Sequence, residues 1–362
     1  AGIGGMAASI RLALKGYETH LFEKNGETGG KIGELRINGC RFDTGPSLFT
    51  LPDLVDELFT LAGEDPREHF RYIPLDSSCR YFYDDGALLN AWTDRQRFAE
   101  EAEQVTGEPR ENIITFLDEC AELYDLTAGI FIFSPFYQLD NFRKPESLNV
   151  ARNFRKLNAF STMHGVISRH FRSPKLIQLF DRYATYNGSS PYRAPGTLNV
   201  IAHLEHNMGA YFPEKGMREI VTALEQLSVR CGVIIHTGEE VLSLVKEGRD
   251  ITGLETPSGL LSVQAVVSDV DVIPFYRKLM KEERAARKQE RQERSTSALI
   301  FYWAMNRRFE ELDLHNIFFS SDYPGEFRSL RKGEVSTDPT VYLFASSRVI
   351  PSDAPDGKDN WF

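Results

Sequence analysis

The sequence is poor in the features that most often announce a function. Its four cysteines, Cys40, Cys79, Cys120 and Cys231, stand far apart with no C-x-x-C among them. Neither a disulfide framework nor a structural zinc site is suggested, and a reducing, cytoplasmic setting suits that usage. No apolar run reaches the roughly 18 residues that a bilayer span needs. The nearest, Leu126 to Tyr137 (LTAGIFIFSPFY), is short and interrupted by Pro135, although its aromatic density is that of an interfacial or buried helix end. Positive charge is not in excess either: a net charge of −10 excludes general nucleic-acid binding, which calls for a basic face. Internal repeats and low-complexity tracts are absent, which removes solenoids and disordered linkers. No signal peptide is visible.

What is present is an ordinary globular composition, 41% hydrophobic and 26% charged, over 362 residues. That length is too great for one simple core and predicts two domains, interleaved along the chain. The organising stretch is Ala1 to Gly33, AGIGGMAASIRLALKGYETHLFEKNGETGGKIG. Gly2, Gly4 and Gly5 stand directly before a helical pattern, with Met6, Ile10, Ala13 and Leu14 at three- and four-residue spacing and Gly16 as its stop. A short strand, Thr19 to Phe22, follows and closes on Glu23. Glycines let a backbone approach phosphates, a helix N-terminus offers unpaired N–H groups and partial positive charge, and an acid accepts from ribose hydroxyls. Eighteen residues separate Gly5 from Glu23, near the roughly 20 that a dinucleotide fingerprint asks for. The full G-x-G-x-x-G would have its first glycine, and the strand before it, upstream of Ala1, so the chain is expected to begin inside its own motif.

A second glycine pair follows the acid, in Lys24 to Lys31 (KNGETGGK), and then comes Gly39 to Ser47, GCRFDTGPS. Nicotinamide enzymes have no need of that second pair, whereas an extended FAD has a second backbone turn passing close to it. LFEKNGETGGK followed by RFDTGPSLFTLP resembles the carotenoid desaturases of the phytoene-desaturase type, flavoproteins related to amine oxidases. The likeness continues in Tyr186 to Gly196 (YNGSSPYRAPG) and in Gly209 to Met217 (GAYFPEKGM), and covers nearly the whole chain. The opening motif is common to many flavoproteins; the two later ones are much narrower.

The resemblance implies an α/β fold, a Rossmann-like FAD-binding domain of the glutathione-reductase type interleaved with an α+β substrate domain. The expected division is 1–60 and 215–275 for FAD, and 61–214 and 276–362 for substrate and membrane contact. Cofactor contacts are expected from Gly2, Ile3, Gly4, Gly5, Glu23, Lys24, Gly30, Lys31, Thr44, Gly45, Pro46, Ser47, Val241 and Asp269. Val241 is placed at the adenine by the resemblance alone, and Val266 to Asp269 would return the chain to the central sheet. The family carries a further glycine-rich flavin segment near its C-terminus that is not found before Phe362. The implied activity is desaturation of a carotene: phytoene, or a later acyclic, monocyclic or hydroxylated carotene taken at its 3,4 bond. Quinone or oxygen would accept the electrons, and the enzyme would sit peripherally on a membrane. Carotenoid isomerisation and amine oxidation are related alternatives. A non-catalytic alternative is a prenyl-binding protein like the GDP-dissociation inhibitors.

Along the rest of the chain, Leu51 to Ala62 predicts a helix with Leu54, Leu58 and Leu61 at helical spacing, and Arg71 to Trp92 predicts strands around a turn at Asp84-Asp85-Gly86. Thr93 to Tyr124 reads as helical with Phe98, Ala102 and Val105 on one face, and 146–183 as two helices broken at Ser173-Pro174. Arg152, Arg155, Lys156, Arg169, His170 and Arg172 make that region locally basic, either as ordinary exposed helix faces or as a surface for anionic headgroups. Gly232 to Ser268 reads as a run of strands, Arg277 to Arg294 as a charged surface helix, and Ser297 to Met305 as an apolar strand suited to lining a cavity.

No nucleophile–His–acid constellation stands out, and a flavin reaction needs none. His203 and His206 invite a metal reading, but without a third ligand at a recognisable spacing a surface or core-edge pair is the better assumption. No metal is expected. A long oily substrate asks for an apolar tunnel; 25 Phe, 14 Tyr and 3 Trp, concentrated at 131–142 and 299–303, suit a tunnel or a core equally. Glu146, Asp140 and Asp181 are candidates for a proton-removing base, with no spacing argument to choose among them.

Overall fold

The computed structural model describes residues 1–134, 149–150 and 152–362. Pro135, Asp140, Glu146 and the aromatic residues of 135–142 lie outside the described residues. The chain divides into two compact units, one of Ala1–Ile37, Arg41–Ile73 and Phe212–Arg294, the other of Asn38–Cys40, Pro74–Tyr211 and Ser295–Phe362.

In the first unit Gly2 caps the helix Ile3–Leu14, which buries Met6, Ser9 and Ile10 and leaves Leu14 exposed. The helix ends as Gly16 suggests. Gly16 takes a left-handed φ of +87°, its amide reaches the Ala13 carbonyl and the Tyr17 amide reaches that of Leu12. The chain returns as the strand His20–Glu23, which pairs in parallel with Ile234–Thr237, Glu23 opposite Thr237. A crossover helix precedes the second strand: Arg218–Arg230 buries Ile220, Val221, Ala223, Leu224 and Leu227. The predicted run of strands after Gly232 continues as an antiparallel sheet in the order Gly259–Ser262, Asp250–Thr256, Ser243–Glu247. Val266 to Asp269 adds no strand, contrary to expectation; it is irregular chain.

Helix Asp53–Leu61 keeps its predicted position, but its buried pair is Leu58 and Phe59, while Leu54 and Leu61 face solvent. Residues 61–73 cluster with this unit rather than with the substrate part of the chain. Phe49, Phe70 and Tyr72 form an aromatic group with centroids 5.6–6.0 Å apart, and the Tyr72 hydroxyl donates to Asp56 at 2.7 Å. Residues 276–294 cluster here too, where Lys246 of the antiparallel sheet meets Glu282 at 2.7 Å.

The second unit is built on a four-stranded sheet in the order Val341–Phe344, His315–Phe318, Ser77–Phe82, Leu88–Trp92. The central pair is parallel and both outer pairs are antiparallel, the Ser77–Phe82/Leu88–Trp92 hairpin turning at Gly86 with φ +82°. Its core joins Tyr81, Leu89 and Ile317 of the sheet to Phe98, Phe116, Phe180 and Ile201 of the helices Arg95–Thr106, Arg110–Phe131, Pro174–Asp181 and Val200–His206. The stretch Thr93 to Tyr124, read as helical throughout, is broken at Gly107–Pro109 into two helices, since proline cannot continue a helix interior, while Pro174 opens the third after Met163–His170, as expected. Ser297 to Met305 is not the expected strand. Only Trp303–Ala304 pairs, with Asn360–Trp361, and Leu299, Phe301 and Trp303 are exposed. Apolar composition alone supplied no ladder partner for the rest.

Candidate cofactor site

Within the first unit the helix N-terminus at Ile3 is where the glycine motifs converge. The first turn of any helix has N–H groups without intrahelical partners and carries partial positive charge. Here one of them is already answered by an anion: the Gly5 amide donates to Asp269 Oδ2 at 2.9 Å. Gly30, with φ +61°, lies against Gly2 so closely that a Cβ on Gly30 would sit 3.1 Å from the Gly2 Cα. A Cβ on Gly5 would stand 3.0 Å from Asp269 Oδ2 and 3.4 Å from Leu21, and one on Gly2 3.3 Å from the same carboxylate. The two glycine pairs therefore form one backbone cradle, with side chains excluded by sterics and N–H groups that a carboxylate already uses. That donor set suits the pyrophosphate of a dinucleotide.

Ile3 and Gly4 open the helix beside Gly5. Glu23 ends its strand buried, accepting from the backbone and side chain of Asn25 at 3.0 and 2.8 Å. Beyond the strand end, the amides of Gly238 and Glu239 reach the carbonyls of Asn25 and Glu23 at 2.7 and 2.9 Å. Val241, half-buried, follows two residues later, which puts it in the segment just past the acid. Lys24 and Lys31 are exposed.

Thr44 ends the strand Cys40–Thr44, and Gly45, Pro46 and Ser47 follow it. Gly45, at φ +89°, presses on the Lys31 carbonyl so tightly that a Cβ would lie 2.0 Å from that oxygen. The stretch around Gly30–Lys31 and the stretch Thr44–Ser47 are thus held against each other, and Ser47 is buried. Under them lies a charged group that the sequence reading did not single out. Arg41 donates to Asp43 at 2.7 Å and to Glu34 at 2.5 Å, all but Glu34 being buried. Asp43 also accepts from the Arg218 amide at 3.3 Å, and the Arg218 guanidinium reaches the Ile32 carbonyl at 3.2 Å. Gly216, at φ +87°, leaves room for this group, since a Cβ there would stand 2.4 Å from Arg41 Nη2. The available signal was the pairing of Arg41 and Asp43 two residues apart on a short strand, hence on one face, inside an apolar string.

The remaining chemistry-bearing residues lie in the second unit. Glu205 is buried and accepts from Ser78 Oγ at 3.0 Å, the Tyr183 hydroxyl at 2.9 Å, Arg182 at 3.3 Å and the Tyr186 hydroxyl. His206 is a core histidine, not an edge one: its Nε2 lies 2.9 Å from the Tyr183 hydroxyl, and burial, then the Arg182 charge, lowers it to about 3. His203 instead meets Asn207 at 2.9 Å. Asp181, one of the base candidates, is buried and lies 2.7 Å from His164 Nδ1. Burial raises its carboxyl to about 6 against the opposing pull of His164.

A glycine cradle at a helix N-terminus, an acid at the end of the next strand and a second glycine turn are the arrangement that a dinucleotide site of the flavoprotein kind would need. Comparison with known proteins agrees. Residues 3–359 match the family model described as flavin containing amine oxidoreductase. The chain belongs to that family. It is therefore an oxidoreductase with FAD as its cofactor. It is 39% identical over its whole length to the 1-hydroxycarotenoid 3,4-desaturase of Flavobacterium sp. (strain P99-3), of which it covers 74%. It is 32% identical to the 4,4'-diapolycopene oxygenase of Methylomonas sp., over 99% of the chain and 72% of that protein. Within the family it thus groups with the carotenoid desaturases. Among solved structures, an oxidoreductase from Methanosarcina mazei superposes with a TM-score of 0.62 at 16% identity, covering the whole chain and 76% of that protein, a likeness of fold.

Proposed function

We propose that this flavoenzyme desaturates a carotene, and that the substrate it handles best is an acyclic carotene hydroxylated near one end and taken at the 3,4 bond. The observation that carries the reading is the Gly2–Gly30 approach, a two-loop cradle for an extended FAD, in a chain whose 39% identical relative is named for that reaction. These roles are the ones the family resemblance implies, and the glycine cradle is compatible with them. Gly2, Ile3, Gly4 and Gly5 offer backbone N–H groups to the pyrophosphate, with Asp269 the carboxylate beside them. Glu23 accepts from the ribose hydroxyls, and Val241, as the resemblance implies, brings a backbone edge to the adenine. Lys24, Gly30, Lys31 and Thr44–Ser47 line the cofactor farther along. When bound, the flavin supplies a hydride acceptor, so the protein's own work is to orient the carotene and keep water out. Quinone or oxygen takes the electrons afterwards. The enzyme meets its oily substrate at a membrane surface; among the described residues no helix is long and apolar enough to cross one.

Expression of the full-length protein in hosts accumulating phytoene and, separately, a 1-hydroxylated acyclic carotene tests this reading. Pigment chromatography should show the hydroxylated substrate losing two hydrogens and gaining one conjugated double bond. Insertion of oxygen instead would make it an oxygenase, and a flavin-loaded protein that changes neither pigment would end the carotene assignment.

A further inference from the structure

The second unit displays an aromatic and cationic patch that the catalytic reading does not use. In 152–160, RNFRKLNAF, Phe160 is 92% exposed and Phe154 46%, their ring centroids 5.6 Å apart. Arg152, Arg155 and Lys156 are exposed around them, and Lys156 reaches Glu122 on the helix Arg110–Phe131. That same helix ends in the exposed Phe131, followed by exposed Ile132 and Phe133. Two large side chains held in water beside three cations are costly unless something covers them.

The segment is not a loose tail. Leu157 turns inward and is buried, and its carbonyl accepts from Thr197 Oγ1 at 2.8 Å. Asn158 takes a left-handed φ of +51°, and its side chain accepts from Arg169 at 3.3 Å. Arg169 also reaches Ser161 Oγ at 3.4 Å, and the Gly196 amide donates to the Ser161 carbonyl at 2.8 Å. Ordering has therefore been met by the fold, and Phe154 and Phe160 stand presented.

We propose that 152–160 is the anchor by which the enzyme docks on an anionic bilayer, Phe154 and Phe160 entering the headgroup–acyl boundary while Arg152 and Arg155 meet lipid phosphates. The proposal rests on the reading that the substrate is a carotene, which dissolves in such a bilayer. Charge selects this occupant. On a protein of net charge −10 an anionic surface draws basic stretches, and at 152–160, unlike the charged stretch Arg277–Arg294, exposed aromatic rings stand beside the arginines. The facing acids, Glu119 and Glu122, are taken by His170 at 3.2 Å and by Lys156, which leaves the arginines to face outward.

The test is flotation of full-length, flavin-loaded enzyme with vesicles of phosphatidylcholine alone and with 30 mol% phosphatidylglycerol, about the anionic content at which each cation counts for roughly fivefold in binding. The F154A/F160A variant should lose at least about tenfold in binding to both vesicles, and F160W should keep it. The R152E/R155E variant should lose at least about tenfold on the anionic vesicles only. All three should desaturate detergent-solubilised carotene at the wild-type rate, which separates loss of docking from loss of the activity itself. Wild-type flotation of the aromatic and arginine variants would overturn the proposal. So would loss of their activity in detergent, or docking that an added protein but no vesicle restores.

Discussion

Asp269 Oδ2 accepts the Gly5 amide proton at 2.9 Å across 264 residues of chain, so the helix that opens the sequence already holds a negative charge at its N-terminus. A carboxylate is what the unpartnered N–H groups and partial positive charge of a helix N-terminus favour. A β-carbon on Gly5 would lie 3.0 Å from this oxygen and 3.4 Å from Leu21, tighter than most Cβ contacts, so the Asp269 carboxylate would have to give way, and valine's methyl groups need more room still. Gly5→Val is therefore expected to fold, because its backbone needs no left-handed conformation, yet to lose flavin. Absorbance of the purified protein should show FAD falling to under about a tenth of the wild-type stoichiometry. A Gly5→Val protein as yellow as wild type would remove the cradle from the site.

Gly216 sets a second expectation. Alanine there would adopt a left-handed φ of +87° at a cost of roughly 1–2 kcal/mol, and its Cβ would strike Arg41 and Asp43 at 2.4 and 2.7 Å. Since Arg41 and Asp43 underlie the Thr44–Ser47 turn, Gly216→Ala should lower the thermal midpoint by several degrees and weaken FAD together. Titration of the apoprotein with FAD, alongside thermal melts, checks both; an unchanged FAD affinity in a destabilised protein would show that the buried pair supports the fold alone.

The distinction between local and distant signals explains what the sequence disclosed. Gly2–Gly5, the helix after them, Glu23 and the strands from Ile234 to Thr256 are short-range patterns and formed near their predicted places, whereas the last strand of that run stops at Ser262 rather than continuing to Ser268. Arg218 reaches Asp43 across 175 residues, and no periodicity of either segment announces that meeting. The contact that brings Asp269 to Gly5 is of the same kind, which is why Val266 to Asp269 was expected in a sheet. Ser297 to Met305 erred in the opposite way: its apolar run mimics a buried strand, but burial needs partners, and Leu299 stays 83% exposed.

In the second unit, Glu205 is the only carboxylate within hydrogen-bonding distance of the buried Arg182 among the described residues. Removing one member of a buried ion pair leaves the other uncompensated, which costs about 3–5 kcal/mol. Glu205→Ala should therefore unfold at markedly lower urea concentration, whereas Ser78→Ala, which deletes one neutral donor to the same carboxylate, should cost about 1 kcal/mol. Equal midpoints for the two variants would mean that Arg182 finds another partner.

Asp181 gives the molecule a stability that depends on pH in an unusual direction. Burial raises its carboxyl to about 6 from the ordinary 3.8, so the fold prefers the protonated acid, with His164 recovering part of the cost of ionisation. Between about pH 4 and 6 the folded chain keeps a proton at this position that the unfolded chain has released, and stability from this group must fall as pH rises through that window. Above it the loss is complete, up to roughly 3 kcal/mol for a displacement of about two pH units. Asp181→Asn is neutral throughout and cannot show this decline. Urea unfolding of both proteins from pH 4 to pH 8 should find the variant gaining on wild type across the window and then running parallel to it. A difference that stays flat from pH 4 to 8 would mean that Asp181 is ionised in the folded protein from the start, and that His164 outweighs burial.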